Sequence, residues 1–247
     1  MLPSTPHYNF KRIHKKNNLN SKSRSNRYYV NHDKIFKLIS SSSDSSDDEL
    51  DVRPKMLHEK KDEHVFAEGN DIYFQSKVCD TSVSKLINII NQKNNDFKKI
   101  LDNEMVDSAQ PKILWLHITS YGGGLFACFR AIDAITNSKI PIYTIVEGYA
   151  ASAGTLMSVV GKKRFMTSSS YMLIHQLRSG TAGTFWEIKD EYNNLEMIMD
   201  DIYNIYLTHT KLSREELEAY LAHDSWWKLD KCIQCGLIDE IYTGHVK

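Results

Sequence analysis

Apolar residues recur every three or four positions from Ser82 to about Asn103, where Leu86, Ile89, Ile90, Phe97, Ile100 and Leu101 fall on one face. That spacing predicts an amphipathic helix. Just upstream, Asp71-Ile72-Tyr73-Phe74 reads as a short strand. Ile113-Leu114-Trp115-Leu116-His117-Ile118 is a near-continuous apolar run, as expected for a parallel strand covered on both faces. Leu125 to about Thr136 is helical again, Pro141 to Val146 is the next strand, and the segment at Ser152 opens another helix. Tyr171-Met172-Leu173-Ile174 is strand-like. This alternation predicts an α/β fold with parallel strands and right-handed crossovers. From Thr184 to Thr208, Ile188, Tyr192, Leu195, Ile198, Ile202 and Ile205 form a stripe that fits either a core helix or a protruding one.

The pattern stops near residue 65. Upstream lie a basic cluster, Lys11-Arg12-Ile13-His14-Lys15-Lys16, and a Ser/Asp/Glu run from Ser40 to Asp51, both too poor in apolar residues to offset the entropy of folding. Residues 1–64 are therefore expected to be a disordered polar tail and residues 65–247 one domain. The two charge blocks read as solvated chain rather than as a nucleic-acid, targeting or phosphorylation element. The 247 residues are 41% hydrophobic and formally neutral, enough for one sizeable core and without a global field toward nucleic acid, membrane or acidic substrates. No run approaches the roughly 18 apolar residues of a membrane span, and the amino terminus lacks the apolar stretch of a secretory signal. A soluble, cytoplasmic protein is expected. Cys79, Cys128, Cys232 and Cys235 are too sparse for a disulfide scaffold and are expected to be reduced. Cys232-Ile233-Gln234-Cys235 has no second pair to complete a zinc site, so buried or half-buried thiols are expected; no metal or cofactor is implied.

Three residues carry the candidate chemistry. Ser152 lies within Gly148-Tyr149-Ala150-Ala151-Ser152-Ala153-Gly154, where a strand turns into a helix. Small neighbours admit a substrate backbone, and the free N–H groups of a new helix face developing negative charge. A serine hydroxyl needs a base, and the base needs a third group to fix its tautomer and stabilise its charged form. His175 ends the Tyr171–Ile174 strand, and Asp224 precedes Trp226-Trp227. Each alone also has an ordinary structural reading: Ser152 as a helix cap, His175 as a hydrogen-bonded core residue, Asp224 as a cap before the last helix. Ile118-Thr119-Ser120-Tyr121-Gly122-Gly123-Gly124 ends a buried strand in a backbone able to present N–H groups to an oxyanion. It lacks the Gly-Lys-Ser/Thr of a phosphate loop and the Gly-x-Gly-x-x-Gly of a dinucleotide site.

From roughly Asp71 to Tyr242 the chain resembles the proteolytic subunit of the Clp (caseinolytic) ATP-dependent protease, a serine peptidase family. Thr119-Ser120-Tyr121-Gly122-Gly123 is similar to its Ser-Pro-Gly-Gly element, Gly148 to Gly154 to its nucleophile segment, Met172 to Gln176 to its Met-Ile-His-Gln element, and Asp224 through Gly236-Leu237-Ile238-Asp239 to its C-terminal aspartate and Gly-Leu-Val/Ile-Asp. The resemblance implies a Clp/crotonase-like spiral of repeated β-β-α units with a parallel sheet and a long protruding handle helix. It implies Ser152 as nucleophile, His175 as general base and acid, Asp224 as orienting carboxylate, and the N–H groups of Gly123 and Ala153 as oxyanion hole. It also implies homo-oligomeric stacked rings enclosing a chamber, polypeptide substrates, and an AAA+ unfoldase as partner.

The chain departs from that family at several points. Tyr121 stands where the family has proline, which is expected to loosen the turn before Gly122, and Leu177 replaces a proline after His175-Gln176. The loop at Val160-Gly161-Lys162 is slightly shorter. The long polar tail differs from the family's short gating segment and fits a specialised processing protease, for example a viral one acting in a host cytoplasm. Two further classes remain open from sequence: a crotonase-like acyl-coenzyme A enzyme, which shares the fold but has no need of a triad, and a non-catalytic ring subunit.

Overall fold

The computed structural model describes residues 64–102 and 113–244. The expected tail, apart from its last residue His64, lies outside the described residues. Strand β1 (His64–Glu68) turns through Gly69 (φ 59°) into β2 (Asp71–Gln75) and pairs with it antiparallel, Phe66 opposite Tyr73. The apolar pattern did not predict β1. It is a short edge strand whose His64, Phe66 and Glu68 remain exposed, so it lacks the buried alternation that marks a strand in sequence.

The helix expected after β2 is α1 (Asp80–Asp102), and β3 (Leu114–Ser120) follows with α2 (Leu125–Thr136). Strand β3 is covered on both faces and parallel to both neighbours, as its apolar run suggested, but the two faces differ. Leu114, Leu116 and Ile118 join the main core with Val83, Leu86, Ala131 and Ile135 of the helices. The alternate residue Trp115 packs edge to face on Tyr143 and beside Phe165 and Tyr242. His117, next on that side, stacks on Tyr73 and contacts carboxylate oxygens of Asp71 and Glu147, each at 2.9 Å.

Strand β4 (Ile142–Ala151) is longer than its apolar run because it changes partner midway. Tyr143–Val146 pair in parallel with β5 (Lys163–Met166), and Tyr149–Ala151 pair in parallel with β6 (Tyr171–Ile174). Gly148 (φ 70°) sits at the switch, opposite an irregularity in the β3 register between Ile118 and Ser120. Between β4 and β5 runs α3 (Ala153–Val159), seven residues that are all buried. The main path of the sheet is β1-β2-β3-β4-β5, closed on the β5 edge by a last strand, β8 (Glu240–Ile241), while β6 branches from the far half of β4 and carries β7 (Ser225–Trp227). These strands with helices, parallel except for the β1–β2 and β6–β7 pairs, match the expected α/β class.

Helix α4 (Phe185–His209) is opened by a capping box between Thr184 and Glu187. Its two halves differ: Phe185, Trp186, Ile188 and Tyr192 are exposed, whereas Ile202 and Tyr206 are buried in the core. The amino-terminal half therefore projects as a handle. After α5 (Arg214–Leu221), β7 (Ser225–Trp227) pairs antiparallel with β6, and α6 (Leu229–Cys235) leads to β8 (Glu240–Ile241) on the edge of β5. Arg164 ties these parts together. Its guanidinium binds the Asp239 carboxylate, the Gly236 carbonyl at 2.7 Å and the carbonyl of His209 at the end of α4. Cys128, Cys232 and Cys235 are buried free thiols. Among the described residues, no helix is long and apolar enough to cross a membrane.

Candidate active site

Sheet register brings the three candidate side chains to one edge. Ala151 pairs with Leu173, and the Ser152 N–H donates to the Leu173 carbonyl at 2.9 Å, so Ser152 leaves β4 beside the end of β6. On β6's other side, Ile174 pairs with Ser225, which sets Asp224 opposite His175. Gly123 and Ala153 join Ser152 and His175 in lining a cavity of about 150 Å³.

Ser152 occupies the N-cap position of α3, yet its side chain caps nothing. Its backbone is left-handed, φ 55° and ψ −127°, and no other described non-glycine residue has a positive φ. A serine held there costs of order 1–3 kcal/mol and persists only where the surroundings over-determine it. Buried hydrogen bonds do so here. The Ser152 carbonyl accepts from the Thr155 N–H at 2.9 Å and the Thr155 hydroxyl at 2.6 Å. Thr155 Oγ1 lies 2.6 Å from the hydroxyl of Tyr206 on α4. Since the single proton of Thr155 goes to the carbonyl, Tyr206 donates and Thr155 accepts. Full burial raises the Tyr206 phenol above its ordinary range, keeping it a donor. The neighbouring Cys128 thiol, at 3.2 Å from the Ala153 carbonyl, is pushed up to about 12 by burial and stays protonated.

The glycine loop is fixed by an isolated parallel bridge. The Val78 N–H donates to the Gly122 carbonyl at 2.9 Å, and the Gly124 N–H donates to the Val78 carbonyl at 2.8 Å. Pairing of that kind uses the groups on either side of Gly123 and leaves the Gly123 N–H directed away from Val78. Ala153, first in α3, has no intrahelical acceptor for its own N–H. Only glycine fits this loop: a Cβ on Gly122 (φ 86°) would lie 2.7 Å from the Ala151 carbonyl oxygen, and one on Gly123 would lie 2.1 Å from that of Val78. The expected loosening by Tyr121 is not what the fold displays. Its ring stacks on Tyr149 with centroids 4.1 Å apart and meets Trp226 edge-on, bracing the loop against β4 and β7.

The His–Asp contact is open. His175 Nδ1 is buried without a hydrogen-bond partner, and the nearer Asp224 oxygen lies 3.9 Å away. Asp224 instead binds the guanidinium of Arg178, which lines the same cavity and which the sequence patterns did not single out. Asp224 is not a helix cap either, because Lys228 holds that position for α6. Thr155 and Arg178 carry no motif of their own, and Tyr206, four positions after Ile202, signals only helix burial; the folded contacts alone tie them to the site.

Comparisons with known proteins define the class first: the chain is a serine peptidase. Its relatives include ATP-dependent Clp protease proteolytic subunit 1 of Chlamydia abortus, 28% identical over 183 residues covering 72% of this chain and 89% of that protein. The proteolytic subunit 2 of Treponema denticola is 27% identical over 189 residues, 75% of this chain and 94% of the relative. The proteolytic subunit of Streptococcus thermophilus is 31% identical over 145 residues, 54% and 70% of the two chains. The family model for Clp protease matches residues 85–245. The chain belongs to the Clp protease family.

Proposed function

We propose that residues 65–247 are the catalytic domain of a Clp-type endopeptidase that cleaves unfolded polypeptides, with Ser152, His175 and Asp224 as its triad. The observation that carries this reading is the β4–β6–β7 register, in which Ser152 follows Ala151, Ala151 faces Leu173, and Ile174 faces Ser225. In the proposed mechanism, His175 takes the proton of Ser152 as Oγ attacks the scissile carbonyl. The oxyanion rests on the N–H groups of Gly123 and Ala153. His175 then protonates the departing amine, leaving an acyl-enzyme ester on Ser152. A water activated by His175 releases the acid product and restores the hydroxyl. Asp224 orients the imidazole and stabilises its charged form once the two meet.

The projecting half of α4, with Phe185, Trp186, Ile188 and Tyr192 exposed, supports stacking of rings into a chamber. Relatives named as subunits of an ATP-dependent protease support an AAA+ unfoldase as the supplier of substrate. We assign the work of the assembly to the cytoplasm and residues 1–64 to a separate tail. Hydrolysis of a fluorogenic peptide and of an unfolded protein by the wild type and by Ser152→Ala, with assembly followed by sedimentation, tests the reading. Activity lost in the variant while the assembly persists is the expected result. A wild type that assembles but neither hydrolyses peptide nor reacts with a serine-directed fluorophosphonate would overturn it.

A further inference from the structure

Asp224 stands between two competing donors. One is His175, whose Nδ1 is buried without a partner and 3.9 Å from Oδ1, beyond the 2.7–3.2 Å reach of an N–H···O bond. The other is Arg178, whose Nη2 binds Oδ2. The two donors differ in environment. The His175 side chain is only 15% exposed, whereas those of Asp224 and Arg178 are 50% and 69% exposed. A buried unpaired ring N–H gains from a carboxylate, while an exposed ion pair is worth little and is screened by salt. The Asp224 carboxylate thus has two partners nearby, and in the fold it is bound to the more exposed one, Arg178. Arg178 is placed to compete with His175 because it follows it by three residues and lines the cavity that also holds Ser152.

We infer that Arg178 is a positioning residue that latches Asp224 away from His175, so that the triad closes only when this ion pair loosens. The inference rests on the triad reading above. It adds a control point: whatever draws the guanidinium off Asp224 frees the carboxylate to swing onto Nδ1. The segment from Gln176 to Thr184 is outside regular structure, so Arg178 can move without breaking a helix or strand.

The test is the rate of Ser152 acylation by a fluorophosphonate, measured on the full chain as wild type, Arg178→Ala, Arg178→Lys and Ser152→Ala at matched assembly state. Arg178→Ala is expected to label about two- to fivefold faster, the range set by loss of one exposed ion pair. In peptide hydrolysis the gain is expected in kcat, with KM little changed. Raising salt from about 50 mM to about 500 mM is expected to accelerate the wild type and Arg178→Lys, which keep a charge to screen, and not Arg178→Ala. A purely structural role for Arg178 does not produce that salt pattern. Equal or slower labelling of Arg178→Ala, with wild-type labelling absent only in Ser152→Ala, overturns the latch and leaves the peptidase reading intact. Absence of labelling in both wild type and Arg178→Ala overturns the peptidase reading, and the latch with it.

Discussion

The hydrogen-bond chain from Tyr206 through Thr155 to the Ser152 carbonyl predicts a rescue between two core substitutions. Thr155→Val keeps the side-chain shape but removes the hydroxyl that donates to Ser152 at 2.6 Å and accepts from Tyr206 at 2.6 Å. The lost bond is worth about 1 kcal/mol, and the fully buried phenol left without an acceptor adds about 1–3 kcal/mol. Thr155→Val is thus expected to destabilise by about 2–4 kcal/mol. Tyr206→Phe leaves no orphan donor, because Thr155 still has the Ser152 carbonyl, and is expected to lose about 1 kcal/mol. In the double variant the orphan disappears, so its loss should fall below that of Thr155→Val alone rather than reach the sum. Urea unfolding at one fixed protomer concentration measures all three, since assembly makes apparent stability concentration-dependent. Additive losses, or a Thr155→Val no worse than Tyr206→Phe, would refute the donor order, and with it the account of what holds the left-handed Ser152 turn.

Two further predictions concern the oxyanion loop and alkaline stability. Gly123→Ala puts a Cβ 2.1 Å from the Val78 carbonyl oxygen, so the loop must leave its bridge. Steady-state peptide kinetics should lose about 10²- to 10³-fold in kcat, the effect of one missing oxyanion donor, with far-UV circular dichroism preserved. Cys128 and Cys232 both have thiols pushed up from 9.0 to about 12 by burial. A raised folded-state value means the folded chain keeps protons that the unfolded chain releases. Their contribution is complete below pH 9 and is lost as pH rises toward 12, at about 1.4 kcal/mol per pH unit for each thiol. Denaturant midpoints at pH 8, 9 and 10 should be level at first and then fall; a midpoint still flat at pH 10 contradicts the burial of these thiols.

Elements with a strong period were legible in the sequence. Helix α2 spans Leu125–Thr136 as its spacing predicted, and the Ser152 segment does turn from strand to helix. What failed were features that depend on a partner distant in sequence. Strand β1 draws its stability from five paired positions on β2 and has no buried alternation of its own. The far half of β4, Glu147–Ala151, carries few large apolar residues and is a strand because β3 and β6 flank it. Tyr121 replaces a proline, a change that in isolation frees the chain; only the ring of Tyr149, 28 positions later, shows why the turn stays ordered.

The site divides in the same way, into identity and alignment. Ser152, His175 and Asp224 could be singled out as candidates from their order and settings taken together, and Gly123 and Ala153 only through the family resemblance. Whether they meet depends on two ladders, Ala151 on Leu173 and Ile174 on Ser225. A slip of one residue in either would turn His175 or Asp224 to the opposite face of the sheet. The ladders are pinned by burial on both sides: Met172 and Ile174 of β6 are within 1% of full burial, and Trp227 of β7 is 8% exposed. Backbone register is therefore the strongly determined part of the site. The last step, from Asp224 to His175, is left to an exposed carboxylate that binds Arg178 instead. Buried ladders thus fix which residues face one another, and under the proposed mechanism closing the 3.9 Å between His175 Nδ1 and Asp224 is left to side-chain interactions weak enough for assembly, substrate or salt to reverse.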